Sequence, residues 1–455
     1  MYKLYLPAAI FLLTVTAEPA AAQEPWYKQG EFIPEKRIAL TVTNGLDIPR
    51  MDVPVVIKRE QLPVYDFHEL DITLVDPSLE SRGEPTLEEL REYGNHMTHE
   101  EQNGRQIGYQ LDDLTKDGIW DELFFTTDME PGESKTIYLY IGFNNYGLFA
   151  HDTASGMGNY VRHMVPYWES EFVGWKLWYP TNVDVYAKRT PQLMANHMIQ
   201  NNLDGYVVPR DMGNDIMFVE NTLGGGGIVL FEHSDKPDSI SRPRFTAPKK
   251  RAGSETRYNI GQLSDTRYSF DVIVNGPLRS MIKARTFNWF SGEGFYELEQ
   301  TYTAYSRQSY STVRAEYTQF NPVNRDTKLG AGIRKHPEED LFHQEGNILF
   351  TGGSEEIVSP GDPDRLNVLP VDFTIHAIAV PSKYTPEFQY IEDFGENYTF
   401  RIETPENLTF EYLIGSAWSE GEAFETQEEF MGYMESSVRG YENPVKVDAG
   451  SLEHR

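Results

Sequence analysis

Two short basic groups close strand-like runs in this sequence, Lys188-Arg189 and Arg334-Lys335-His336. Clustered guanidinium and ammonium groups neutralise carboxylate or sulfate on an anionic ligand, and loops at strand ends are where rigid β scaffolds carry sites. His336 adds an imidazole, and His197 follows Lys188-Arg189 in a segment read as a short helix. An imidazole with an ordinary pKa of about 6.5 is suited to take a proton around neutral pH. A third basic group, Arg242, Arg244, Lys249, Lys250, Arg251 and Arg257, falls within sixteen positions. Such a loop either reaches over an anionic ligand or balances neighbouring acids at the surface. Tyr167, Trp168, Trp175, Trp178 and Tyr179 form a dense aromatic stretch. Flat rings stack on sugars or fill a sandwich core; Trp168 is the ring favoured for sugar, because Glu169 beside it offers a carboxylate to hydroxyl groups.

Three other motifs read better as structure. Asp113, Thr115, Asp117 and Gly118 imitate the start of a calcium loop, but Phe124 stands where the bidentate Glu belongs, so a tight turn is expected. His96, His99 and Glu100 sit in a polar segment without an apolar stripe. Gly224 to Gly227 has no following Lys-Ser or Lys-Thr and reads as a hairpin turn rather than a phosphate loop. No cofactor is expected; a divalent metal remains open, since Glu, Asp and His are present without a compact ligand motif.

The elements that must position these residues are strands. Short alternating runs separated by Gly, Pro, Asn and Asp dominate from residue 36 onward, Phe295 to Tyr305 and Thr312 to Phe320 among them. Helices are expected only at Thr86 to Tyr93, at Pro191 to Asn202 and after Thr426, where Thr426 and Glu429 form a capping box. This is an all-β chain: a small N-terminal sandwich over 23–145, then a larger β unit over 146–455 with a C-terminal helix. Residues 1–22 read as a signal peptide, with Lys3, an apolar stretch from Leu4 to Val15 and Ala20-Ala21-Ala22 before Gln23. A periplasmic or secreted protein without a membrane span is expected. With 70 acidic against 40 basic residues, a net charge of -30 and no cysteine, nucleic-acid binding and thiolate chemistry are disfavoured.

Several segments together resemble a known family. They are Trp168-Glu169-Ser170 with Gly174 and Tyr179; Val183 to Arg189; Gly213-Asn214-Asp215-Ile216 leading to Leu223 and Gly224 to Gly227; Gly276-Pro277-Leu278-Arg279; and Gly330 to Pro337. In order and spacing they resemble DUF4861, exported bacterial β-supersandwich proteins found beside polysaccharide-degrading enzymes. Asp117 to Leu123 matches the family's N-terminal sandwich. The resemblance implies a galactose-mutarotase-like β-supersandwich and a role in carbohydrate breakdown. One branch is an oligosaccharide dehydratase that removes water from the non-reducing-end uronic acid of ulvan fragments, leaving a 4,5-unsaturated sugar. Trp168, Glu169, Lys188, Arg189, Asp215, Arg334 and His336 are carried over as motif positions. The family leads one to expect a His near Tyr206, where this sequence has Val207, Val208, Pro209 and Arg210.

That reaction withdraws a weakly acidic proton beside a carboxylate, so positioned cations must stabilise the developing charge. Arg189 and Arg334 are the candidates, with Lys188 and Lys335 beside them. His336 or His197 is the expected base, and Tyr302 the expected acid for the C4 oxygen. The expected partner is an acidic, uronate-containing and sometimes sulfated oligosaccharide. The elimination stays open between a dehydratase and a glycosidic-bond lyase, and two rival functions stand beside it: a glycoside hydrolase or epimerase using Glu169 and Asp215, and a non-catalytic sugar-binding protein.

Overall fold

The computed structural model describes residues 25–93, 99–147, 151–160, 163–178, 182–194, 211–217, 219, 222–232, 236, 238–243, 265–291, 294–358, 368–393 and 395–455. The chain is all-β, in two sandwiches of antiparallel sheets.

In the first sandwich a five-stranded sheet runs in the order Lys446–His454, Lys36–Thr43, Ser134–Ile141, Ile72–Asp76, Arg105–Gln106. It packs on a three-stranded sheet of Arg50–Lys58, Glu122–Met129 and Tyr109–Asp112. Alternate residues such as Ile38, Leu40 and Val42 meet Val53, Val55 and Ile57 between the layers. The first strand of that order comes from the C-terminus: Lys446–His454 pairs with Lys36–Thr43. The unit foreseen as 23–145 therefore includes the end of the chain. Nothing local in Lys446–His454 distinguishes that partner from a strand of the last sheet.

The larger sandwich sets an eight-stranded sheet against two smaller ones. Its order is Arg267–Asn275, Arg279–Ser291, Gly294–Tyr305, Tyr310–Asn321, Thr409–Trp418, Val368–Ala379, Ile348–Val358, Leu341–Glu345. A five-stranded sheet follows the chain order Thr153–Tyr160, His163–Ser170, Val173–Trp178, Asn182–Lys188, Gly213–Asp215. A four-stranded sheet runs Gly227–Phe231, Lys328–Arg334, Asn397–Ile402, Glu387–Ile391. One apolar core draws on all three sheets. On the other face of the eight-stranded sheet lies the helix Gln427–Glu442, with Phe430, Met434 and Val438 against Phe350, Ile375 and Leu413. Thr426 caps it by accepting the Glu429 N–H at 3.1 Å.

The short helix Leu87–Tyr93 forms behind Thr86. Pro191 to Met194 is not helical, and the rest of the segment foreseen as a helix, with His197, lies outside the described residues. Gly224 to Gly227 is not the hairpin turn foreseen: Gly224 bridges Val183 in parallel, and the chain passes into Gly227–Phe231, which pairs in another sheet with Lys328–Arg334. Gly224 has φ +61°, and a side chain there would meet the Val183 carbonyl. The two sandwiches are tied by buried Arg279, whose Nε donates to Asp112 at 2.8 Å and whose Nη2 lies 2.9 Å from Glu122. Among the described residues no helix is long and apolar enough to cross a membrane.

Candidate functional site

Strand Asn182–Lys188 alternates apolar and polar side chains between its two faces. Val183, Val185 and Ala187 enter the core, while Asp184, Tyr186 and Lys188 occupy the opposite face. That second face is also buried. Across the ladder Lys176 stands opposite Asp184, and Asp215 opposite Tyr186. The Tyr186 hydroxyl donates to Asp184 Oδ2 at 3.1 Å. Lys176 Nζ contacts the Tyr186 oxygen and lies 3.5 Å from Asp184 Oδ2. Burial pushes both Asp184 and Asp215 above the usual carboxylate range; the neighbouring Asp184 charge pushes Asp215 further, while Lys176 restrains Asp184.

On the same sheet Lys188 Nζ reaches the Glu169 carboxylate, the Ser170 carbonyl and, at 2.7 Å, the Gln192 carbonyl. Glu169 also accepts the Met194 N–H at 2.9 Å. Burial lowers the Lys188 pKa, and Glu169 opposes that shift. Taking this many ionisable groups out of water costs several kcal/mol per ion before pairing, and such groups concentrate at functional sites.

Strand Gly213–Asp215 leads from this sheet to a cleft on its other, core-facing side. Ile216 and Met217, the next two residues, wall the cleft with Arg334, His336, Glu355 and His376, and Lys335 stands at its rim. Thr374 and His376 project from one face of strand Val368–Ala379, toward the cleft side. Gly353 lets the loop after Arg334 lie close, because a Cβ there would run into the Glu338 carbonyl and sit 3.1 Å from His336 Nδ1.

His336 is buried and its two ring nitrogens are engaged. The Glu338 N–H donates to Nδ1 at 3.2 Å, which puts the ring proton on Nε2. Nε2 lies 2.8 Å from Thr374 Oγ1 and 3.6 Å from Glu355 Oε2, and Thr374 donates to the same carboxylate oxygen at 3.3 Å. His336 thus reaches Glu355 through Thr374, and the Glu355 side chain is 20% exposed and open to the cleft. His376 Nδ1 lies 2.9 Å from Ser416 Oγ. Burial, helped by His336 and Arg334, pulls its pKa down to about 3, so it is neutral at physiological pH.

The other residues foreseen from sequence separate clearly. Lys335 pairs with Glu396 at 3.1 Å. Arg189 pairs with Glu420 at 2.8 Å and lies 5.2 Å from the Trp418 ring centre, and Trp418 pairs in register with Thr374 beside the cleft. Trp168 is no sugar platform: it is fully buried, stacks on Trp175 at 6.1 Å and donates to Ser311 Oγ at 2.8 Å. Tyr302 fails as the acid, because it is fully buried 4.6 Å from Trp168, and burial raises its pKa well above the phenol range. Glu169 is committed to Lys188 rather than to sugar hydroxyls. Of the basic loop, Arg242 is buried and donates to Asn182 Oδ1 at 2.6 Å, a packing role; the others of that group lie outside the described residues. Asp113 makes the foreseen turn, its carboxylate accepting the N–H groups of Lys116, Asp117 and Gly118. Among the described residues no three His, Asp or Glu side chains converge as metal ligands.

A larger cavity of about 680 Å³ lies between the first sandwich and the C-terminal helix, lined by Met51, Tyr305, Tyr310, Tyr433 and Tyr441 among others. Its polar groups are spent on structure: Arg50 donates to the Gly440 and Asn443 carbonyls at 3.1 Å, and Tyr433 to Gln308 at 2.9 Å. The cleft at His336 encloses only about 10 Å³, room for a water, so a sugar would lie across its mouth, where Arg334, Lys335, His336 and Glu355 converge.

The family model DUF4861, a domain of unknown function, matches residues 42–447. The chain belongs to the DUF4861 family. No curated protein matches it. Solved structures similar to this DUF4861 chain include an alpha-mannosidase from Enterococcus faecalis V583, with TM-score 0.47 and 11% identity over 92% of this chain and 46% of that one. A glycosyl hydrolase family 38 protein from Enterococcus faecalis gives TM-score 0.46 and 10% identity over 91% and 47%. The chain spans about half the length of either.

Sequence reasoning missed Lys176, Asp184, Tyr186, Glu355 and His376 as site residues. Asp184 and Tyr186 alternate with apolar residues and so read as a solvated face. His376 did leave a signal, a lone imidazole inside the apolar run Phe373 to Val380.

Proposed function

We propose that this protein is a carbohydrate-active carbon-oxygen lyase that eliminates water from the terminal uronic acid of an acidic oligosaccharide, and that it is exported. The observation that carries this reading is the convergence of Arg334, Lys335, His336 and Glu355 on one cleft beside a neutral His376. Arg334 and Lys335 take the sugar carboxylate, and the enolate-like charge that develops next to it stays beside the guanidinium. Glu355, held by His336 and Thr374, removes the C5 proton. His336 then acts as a positioning residue, since taking the proton itself requires giving up the Glu338 N–H.

A hydrolase reading is less well supported, because water-mediated or nucleophilic glycoside cleavage needs two carboxyls about 5–10 Å apart across the bond. Glu169 is tied to Lys188, and Asp215 is within hydrogen-bonding reach of Asp184.

The test is ultraviolet absorbance and mass spectrometry of uronate oligosaccharides incubated with the protein. A conjugated product lighter by one water is expected. Binding without any change in mass or absorbance, across a panel of acidic oligosaccharides, overturns the reading in favour of a sugar-binding protein.

A further inference from the structure

A uronate lying across the mouth of the cleft needs a surface beside it for the ring that follows, and flat apolar faces are what such rings stack on. Trp168, the platform expected from sequence, is enclosed in the core. We propose that Phe342, Phe388 and Tyr390 form the platform for an uncharged pyranose ring joined to the uronate, with Glu396 accepting hydrogen bonds from its hydroxyls. This rests on the reading above, which places the uronate at Arg334 and Lys335, and extends it to the next ring.

The platform is made by two sheet edges. Leu341–Glu345 is the outermost strand of the eight-stranded sheet, and Glu387–Ile391 is the outermost strand of the four-stranded one. Phe388 and Tyr390 pair in register with Phe400 and Tyr398, so all four rings share one face. Phe400 and Tyr398 belong to the core, whereas Phe388, one strand further out, is 38% exposed. From the facing edge Phe342, 46% exposed, brings its ring 5.8 Å from that of Phe388 and 4.7 Å from that of Tyr398. Tyr390 continues the row, 5.7 Å from Tyr398 and half-buried. Large apolar rings exposed as a group, rather than singly, mark a binding surface.

The platform adjoins the cleft. Lys335, at the cleft's rim, has its Nζ 5.9 Å from the Tyr390 ring centre and 3.1 Å from Glu396 Oε1. Behind the rings Glu339 accepts the Tyr398 hydroxyl at 2.9 Å and the Thr351 hydroxyl at 2.7 Å, and Thr351 accepts the His336 N–H at 2.9 Å. The platform and His336 are therefore held by one hydrogen-bonded line.

The charges select the occupant. Glu396 is 57% exposed, and its Oε1 takes both the Lys335 contact and the Tyr390 hydroxyl at 2.6 Å, which leaves Oε2 to a ligand. The bonds from Tyr390 and Lys335 hold this carboxyl below its usual range, so it only accepts at neutral pH. A ring with its own carboxylate or sulfate would meet Glu339 and Glu396 with the Lys335 ammonium already shared, a like-charge contact. An uncharged ring stacks on the phenyl faces and donates its hydroxyls to the carboxylate instead. A second copy of this chain, also at net charge -30, would bring acid to acid.

Calorimetry on the Glu355→Gln protein, which lacks the proposed base so that no turnover intervenes, tests this with two probes. One is glucuronic acid alone, the other glucuronic acid linked through C1 to glucose. The disaccharide should bind more tightly. Adding Phe342→Ala or Phe388→Leu should weaken the disaccharide about 3- to 10-fold and leave glucuronic acid unchanged. Leucine keeps apolar packing against Phe400 and loses the flat face, so a loss there is not a folding defect. A sulfate on the glucose ring should weaken binding. Equal loss for both probes, no loss in either variant, or tighter binding of the sulfated disaccharide overturns the proposal. So does a dimer in sedimentation velocity that Phe342→Ala dissolves, since the rings then serve contact between copies. Failure of wild type to make any unsaturated product overturns the lyase chemistry instead, because these affinities are read without turnover.

Discussion

Glu171 permits a prediction with its magnitude and sign both fixed by structure. It lies at the junction of the two sandwiches, 8% exposed, accepting the Arg307 N–H at 2.9 Å. Burial raises its pKa from 4.5 to about 7, with Asp152 adding to the shift and the Arg307 N–H opposing it. Below pH 4.5 the group is protonated folded or unfolded and imposes no penalty. Between 4.5 and 7 the folded protein binds more protons than the unfolded chain, so stability falls as pH rises through that window. A carboxyl raised from 4.5 to about 7 on folding costs about 3 kcal/mol above pH 7. Glu171→Gln keeps an acceptor for Arg307 and removes the charge. Urea denaturation should therefore show no gain for the variant at pH 4.5 and a gain that grows to about 3 kcal/mol by pH 8, reduced by any weakening of the Arg307 bond. A difference that does not vary with pH refutes the reasoning, whatever its size.

His376 has the opposite sign. Its pKa falls from 6.5 to about 3 on folding, so stability should drop as pH falls below 6.5, by about 2 kcal/mol at pH 5, and His376→Gln should flatten that slope in acid denaturation. Trp168→Ala should cost about 3–5 kcal/mol by denaturant unfolding as a core truncation, while Trp168→Phe leaves sugar affinity unchanged in calorimetry. Gly353→Ala should push the His336 loop away and cost at least about tenfold in kcat, with circular dichroism unaltered. Arg334→Gln should lower kcat/KM by roughly 10- to 100-fold in steady-state assays, the worth of a hydrogen bond to a charged group.

Strands and the capped helix were legible because alternation and capping are local codes: Thr426 and Glu429 mark the helix start without tertiary information. The return of Lys446–His454 to the first sandwich was not, since strand partners chosen hundreds of residues apart leave no local trace. The site was half legible for a related reason. Arg334, Lys335 and His336 are contiguous and reach one cleft, so their clustering survives in the sequence. Trp168 was misjudged because alternation gives two faces without saying which one is wet, and in this five-stranded sheet both are covered. Lys176, Asp184 and Tyr186 look like solvent-facing polar residues on the same logic, and only burial reveals the cost they carry.

The central claim is that the uronate sits in the cleft at Arg334. The most direct measurement is a crystal structure of the protein with an acidic oligosaccharide bound. The terminal carboxylate is expected within hydrogen-bonding distance of Arg334 and Lys335, with C5 facing Glu355. A sugar bound instead between the sandwiches, against Tyr305, Tyr310 and Tyr433, would contradict the account.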